Sequence, residues 1–182
     1  LALAAAMALS MVACGSSAPA EPAAPEVTYK TGLGTAISVS ATNEDAANEK
    51  GASAQVNTTI VAATFDSNDV IVSVDIDVAQ QKAAFDLEGK VAGEVDLRTK
   101  VEKEGDYGMV GASSIGKEYF EQVKALGEWM VGKTVAEVTA METFERDPSH
   151  TAVPAVEDLK ASVTITVGAY LEALAEAETN AK

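Results

Sequence analysis

Two stretches rich in β-branched residues, "AQVNTTIVAATFD" and "VIVSVDIDV", meet at "DSND" (66–69) with nothing else between them. Asp and Asn tolerate left-handed backbone, so this tetrapeptide is turn chemistry, and the two stretches must form an antiparallel hairpin. The second alternates cleanly. Val70, Val72, Val74, Ile76 and Val78 fall on one face, and Ile71, Ser73, Asp75 and Asp77 fall on the other. One face is therefore expected to be buried and the other partly wet. Upstream, "GTAISVSAT" (34–42) supplies a further strand, giving a three-stranded antiparallel meander.

The rest of the chain changes period. "FDLEGKVAGEVDL" (85–97) predicts a turn at Gly89-Lys90 and a weaker strand, and "RTKVEKEGDYG" (98–108) reads as a loop. From Lys117 to Val131, Tyr119, Val123, Leu126 and Met130 recur at the spacing of a helix stripe, which Phe120 and Trp129 widen and Gly132 ends. Thr134 and Glu137 have the spacing of a capping box for a second, short helix. "DPSHTAVP" (147–154) breaks the chain, and a third helix is expected from Thr164 or Thr166 to Glu178. The pattern is α+β: an antiparallel sheet with helices packed on one side.

The N-terminus carries a different signal. "LALAAAMALSMVAC" is an uncharged apolar run, too short to span a bilayer, that ends at the only cysteine, Cys14. Met11-Val12-Ala13-Cys14-Gly15 resembles the lipobox of bacterial lipoproteins. That resemblance implies cleavage before Cys14, a lipid on its thiol, and residues 1–13 as a signal peptide lacking its first few residues. Residues 14–28 are then lipidated Cys and flexible linker, because Ser, Ala, Pro and Glu cannot bury enough apolar surface to fold. Residues 29–179 form the domain, held at the outer face of the cytoplasmic membrane. With the sole cysteine in the anchor, disulfides, zinc–cysteine sites and cysteine nucleophiles are excluded from the domain. A formal net charge of -15 excludes nucleic acid as a partner.

Candidate chemistry is sparse. His150, the only histidine, sits in a Pro-flanked loop and reads as a solvated side chain, with Ser149 lacking any nucleophile-elbow context. "TGLGTA" (31–36) lacks the third glycine of a dinucleotide fingerprint and reads as a flexible start to the first strand. Asp66, Asn68, Asp69, Asp75 and Asp77 lack EF-hand spacing and are explained by a turn and a wet strand face. In "DYGMVGASSIGKEYFEQ" (106–122), a Gly/Ser stretch feeds a helix. It offers free N–H groups to an anion, with Ser113 or Ser114 as the alternative reading, an N-cap. Ser162, Thr164 and Thr166 crowd the expected mouth of the last helix, either as a cap or as an attachment point for a phosphate-bearing cofactor.

Asp158-Leu159-Lys160-Ala161-Ser162-Val163-Thr164, followed by "ITVGAYLEALAEA", resembles the signature of the FMN-binding domain of extracytoplasmic flavoproteins. In that family an Asp, two residues and Ser/Thr-Gly-Ala-Thr precede a helix, and the last Thr takes FMN through a phosphodiester. Tyr29, Gly32, Gly34 and the strand–turn–strand "IVAATFDSNDVIVSVDID" are similar to the family's opening half. Here Ala161, Ser162 and Val163 replace the Ser/Thr, Gly and Ala, so covalent attachment at Thr164 competes with non-covalent binding. A second partial match is Val110-Gly111-Ala112-Ser113, where Gly111 and Ser113 are candidate flavin contacts. The resemblance implies a membrane-anchored electron carrier rather than a classical enzyme, binding FMN through Asp158, Ser162, Thr164, Thr166, Gly111 and Ser113. It implies as partners a flavin transferase and a membrane redox protein. Tyr107, Met109, Tyr119, Phe120 and Trp129 are the side chains available to face a flavin ring. The alternative function is a surface lipoprotein that kept the fold, lost the flavin and binds another ligand or partner.

Overall fold

The computed structural model describes residues 28–182; the expected signal peptide (1–13), the expected lipidation site Cys14 and the expected linker up to Val27 lie outside the described residues. Three long strands, β1 (Lys30–Thr42), β2 (Ser53–Phe65) and β3 (Ile71–Ala84), form an antiparallel sheet in that order. Helices α1 (Lys100–Lys103), α2 (Tyr119–Met130) and α3 (Val135–Thr139) follow. A two-strand hairpin of β4 (Thr143–Phe144) and β5 (Val153–Pro154) then precedes the last helix, α4 (Gly168–Asn180). The fold is α+β, as the change of period requires. Among the described residues no helix is long and apolar enough to cross a membrane.

The helices cover one face of the sheet. Ala36, Val61, Ala63, Phe65, Ile71, Ile76 and Val78 share one core with Tyr119, Val123, Leu126 and Met130 of α2 and with Tyr170, Ala173, Leu174 and Ala177 of α4. On the opposite face Leu33, Ile37 and Val39 remain exposed. The α2 stripe is buried as its spacing dictates, and Gly132, at φ 83, supplies the left-handed residue just beyond its end. The Thr134–Glu137 capping box forms at the start of α3.

Gly32 and Gly34 are not a flexible start to the strand. A Cβ at Gly32 would lie 1.8 Å from the Ala177 carbonyl oxygen, and one at Gly34 would lie 1.9 Å from that of Ala173. Only glycine lets the α4 backbone sit this close to β1. The seat is completed by the chain end, where Thr31 and Lys182 exchange backbone hydrogen bonds of 3.1 and 3.2 Å. The backbone pairing along β1 thus reaches Lys182.

Four local expectations are revised. Ile71 is fully buried and Val72 exposed, because the β2–β3 register shifts between Thr64 and Phe65; the bulge inverts the alternation at the start of β3. The weaker strand after Gly89 reduces to a single bridge between Phe85 and Val91. The segment read as a loop contains α1, started by a Thr99–Glu102 capping box. Finally, α4 begins at Gly168, so neither Thr164 nor Thr166 caps it, and its N-cap Val167 makes no side-chain hydrogen bond. Five successive β-branched residues, Val163 to Val167, favour extended backbone and delay the helix.

The β1–α4 contact carries a prediction. Gly34→Ala should lower stability by about 3 kcal/mol through overpacking against backbone that has no side chain to move. Gly111→Ala, whose Cβ would meet nothing within 4 Å, should be near neutral. Urea denaturation of the two variants beside the parent checks the contrast.

Candidate functional site

Gln122 occupies α2 on its buried side, yet its side chain is an amide that must find partners there. It is fully buried. Its Nε2 donates to Ser113 Oγ and to the Lys117 carbonyl, both at 3.2 Å. Its Oε1 accepts from the Thr164 backbone N–H at 2.8 Å and lies 3.3 Å from Thr164 Oγ1. One side chain thus joins the Gly/Ser stretch before α2 to the β-branched stretch before α4, 42 residues further on. The two candidate segments form one site.

Each segment is held independently. Glu118, buried at the N-cap of α2, accepts from the Met109 N–H at 2.8 Å and the Val110 N–H at 3.1 Å, and shares a capping box with Glu121. Ser113 is therefore not the cap, and neither is Ser114. Ser113 Oγ instead accepts from the Lys117 N–H at 3.3 Å as well as from Gln122. On the other side Val163 is buried, and the Val167 N–H donates to the Ala152 carbonyl at 2.9 Å, tying this stretch to the residue just before β5.

The hairpin before β5 closes the site. Arg146 Nη1 donates to the Thr164 carbonyl at 3.2 Å and its Nε to Asp147 Oδ2 at 3.2 Å. His150 Nδ1 pairs with Asp147 at 2.8 Å, and this hydrogen bond is the main reason the Asp147 carboxyl is held below its ordinary range. His150 is half-buried and paired rather than a solvated loop side chain. Met109, Ala112, Ser113, Gln122, Arg146, His150, Thr164 and Ile165 together line a cavity of ≈ 110 Å³. That volume admits several water-sized groups but falls far below the ~300–1,000 Å³ of a drug-sized pocket.

Of the residues singled out in the sequence, Thr164 and Ser113 line this cavity, and Gly111 adjoins its lining residue Ala112. Ser162 turns its hydroxyl to the Leu159 carbonyl at 3.3 Å. Asp158 is exposed on a 3-10 turn, Glu157–Leu159, and Thr166 Oγ1 is buried without a hydrogen-bond partner; neither lines the cavity. Of the proposed ring contacts only Met109 lies there. Tyr119 is a core residue, its ring tilted 59° against that of Tyr107 at 5.6 Å, and burial raises its hydroxyl pKa. Trp129 lies under the Lys133 ammonium, 4.3 Å from the ring centroid. Phe120 faces a separate apolar groove of ≈ 400 Å³ between α2 and β3, also lined by Val74 and Val123. At about 100° per residue, the groove's helical residues lie on the opposite side of α2 from Gln122. Gln122 and Arg146 were not singled out in the sequence. The signal for Gln122 was an amide adjoining the apolar stripe; Arg146 gave none.

The acidic loops have structural duties. Asp66 accepts from the Asn68 and Val70 N–H groups, which lowers its pKa, and Asp69 pairs with Lys30 at left-handed φ 60. Asp77 accepts from the Val101 N–H at 3.2 Å and so anchors α1 to β3.

The chain matches no family model, no curated protein and no solved structure, so its own residues carry the functional reading.

Two outcomes test this geometry. Gln122→Leu keeps the volume and leaves Ser113 Oγ, the Lys117 carbonyl and the Thr164 N–H without their partner. It should cost about 3 kcal/mol in urea denaturation. The second concerns acid. Asp147 titrates from an ordinary value of 3.8 downward in the folded state, so its pairing contributes fully above 3.8 and is lost as pH falls through the lower folded value. Amide exchange at Arg146, Ser149 and His150 should stay protected above that pH and open below it, as nuclear magnetic resonance can follow residue by residue.

Proposed function

We propose that the chain is a membrane-anchored extracytoplasmic FMN-binding lipoprotein that carries electrons, with the phosphate end of the cofactor at Thr164 and Ser113. The observation that supports it most is the Gln122 bridge. The two stretches that resemble flavin-attachment sequence, far apart in the chain, present their hydroxyls to one cavity. Nothing in packing alone asks for a buried amide there, since an apolar residue would complete the α2 stripe without needing partners.

The fit of FMN to these residues divides into two parts. A phosphate matches the hydroxyls of Ser113 and Thr164 and the ≈ 110 Å³ of space. The tricyclic ring is larger than the cavity, and Met109 and Ile165 are the apolar side chains nearest to where the phosphate would sit. When bound, the flavin supplies the redox chemistry; the protein contributes position and electrostatics. Attachment at Thr164 would require its hydroxyl to leave the 3.3 Å contact with Gln122, which the stronger 2.8 Å backbone bond to the same oxygen leaves affordable in energy.

The small cavity also favours a second reading, a lipoprotein that binds a phosphate-bearing ligand without a flavin ring. Mass and colour separate the two. The full chain, exported in a bacterium that processes lipoproteins and carries a flavin transferase, should gain the mass of FMN less one water. Thr164→Ala should lose that increment and Ser113→Ala should keep it. Yellow, fluorescent protein with an unmodified mass would make the binding non-covalent. Colourless protein that also fails to quench added FMN would remove the carrier reading.

A further inference from the structure

The cavity at Gln122 has one wall unlike the others. Ser113, Gln122 and Thr164 offer neutral hydroxyl and amide groups, and Met109, Ala112 and Ile165 are apolar. The two remaining lining residues, Arg146 and His150, both come from the β4–β5 hairpin and are the ones able to carry positive charge. In a chain of net charge -15, with His150 its only histidine, this concentration calls for a cause.

Neither group is free to wander. Arg146 is fixed by the Thr164 carbonyl through Nη1 and by Asp147 through Nε, and among the described residues Nη2 has no partner. His150 is oriented by Asp147 through Nδ1, so its Nε2 is the remaining ring nitrogen. In the imidazolium form both ring nitrogens donate, and the hairpin's two carboxylates divide between Asp147, paired with His150, and Glu145, exposed beside Arg146. Glu118, at the start of α2, is engaged by two backbone N–H groups.

We propose that Arg146 and His150 form the phosphate-recognising wall of this cavity, which takes a phosphomonoester group between them and the hydroxyls of Ser113 and Thr164. A planar guanidinium whose Nη2 has no partner among the described residues, an imidazole ring nitrogen and two hydroxyls offer a set of partners suited to the several oxygens of a phosphomonoester rather than to a halide. The inference rests on reading this cavity as the place of a cofactor phosphate, and it supplies the positive charge that the hydroxyls alone do not.

The test uses inorganic phosphate as the probe and the full chain. Because His150 is the only histidine, its modification by diethyl pyrocarbonate is followed at that residue by peptide mass mapping, apart from any acylation of lysine or tyrosine. Phosphate should slow that modification, and chloride at equal ionic strength should not. In Arg146→Gln, the phosphate needed for half-protection should rise about tenfold, the loss of one charge-assisted hydrogen bond. Equal modification rates with and without phosphate in the parent chain overturn the proposal, as does unchanged protection in a folded Arg146→Gln. Should that variant unfold, Arg146→Lys, which keeps the charge and loses the fork, decides in the same way. FMN and riboflavin separate this inference from the flavin reading. Protection by phosphate but not by FMN keeps the phosphate wall and removes the FMN. Retained flavin that leaves His150 unprotected removes the wall and keeps the flavin.

Discussion

The seat of α4 on β1 is the constraint from which the rest of the arrangement follows. Gly32 and Gly34 have no side chains, so the carbonyls of Ala177 and Ala173 reach the strand at backbone distance. With α4 pinned there, its stripe of Tyr170, Ala173, Leu174 and Ala177 fills the core over β1 and β2. The start of α4 then fixes where the preceding residues run. Val167 pairs with Ala152, Val163 is driven into the core, and Thr164, between them, is left facing α2. Thr164 meets Gln122 because glycines more than 120 residues earlier set the height of the helix that follows it.

This chain of dependence explains what could be read from the sequence. The hairpin at 66–69 and the α2 stripe are local patterns, in which each residue's environment is set by neighbours a few positions away. The meander, the one-sided helices and the buried Tyr119, Val123, Leu126 and Met130 were legible for that reason. Ile71 was assigned to the wrong face because a bulge depends on register with β2, which alternation within one strand does not encode. The start of α1 was legible in principle, since Thr99 and Glu102 carry the same spacing as Thr134 and Glu137. Gly32 and Gly34 resist such reading, because the helix that needs them lies at the other end of the chain.

The candidate site divides in the same way. Thr164 and Ser113 were legible as hydroxyls in small-residue stretches before helices, although the helix-mouth argument for Thr164 does not hold. Its site is made by a neighbouring amide, not by the α4 dipole, since Ile165, Thr166 and Val167 stand between it and the first helical residue. Asp158 and Ser162 share a motif with Thr164, but a 3-10 turn directs the Ser162 hydroxyl back to Leu159 and leaves Asp158 exposed. Arg146 and His150 were invisible as site residues because a hairpin brings them there, and a hairpin of two-residue strands has almost no sequence signature.

The charge of the molecule and the charge of the cavity oppose one another, and distance decides which governs a bound anion. Exposed carboxylates more than about 10 Å away are largely screened at physiological salt, so most of the net -15 acts on approach rather than on binding. Within contact distance the balance is different. Arg146 and His150 line the cavity, Asp147 stands behind them, and Glu118 spends its charge on two backbone N–H groups. An anion that reaches the cavity meets hydroxyls, an amide, the Arg146 guanidinium and the His150 ring, whereas one at the surface meets repulsion. Such a site selects by geometry and not by long-range attraction. Its association is therefore expected to be slow for a free anion, and to depend little on salt once the anion is in place. Under the proposed function, a cofactor delivered and fixed once loses nothing by slow entry, so an acidic surface and a cavity that takes a phosphate are physically compatible.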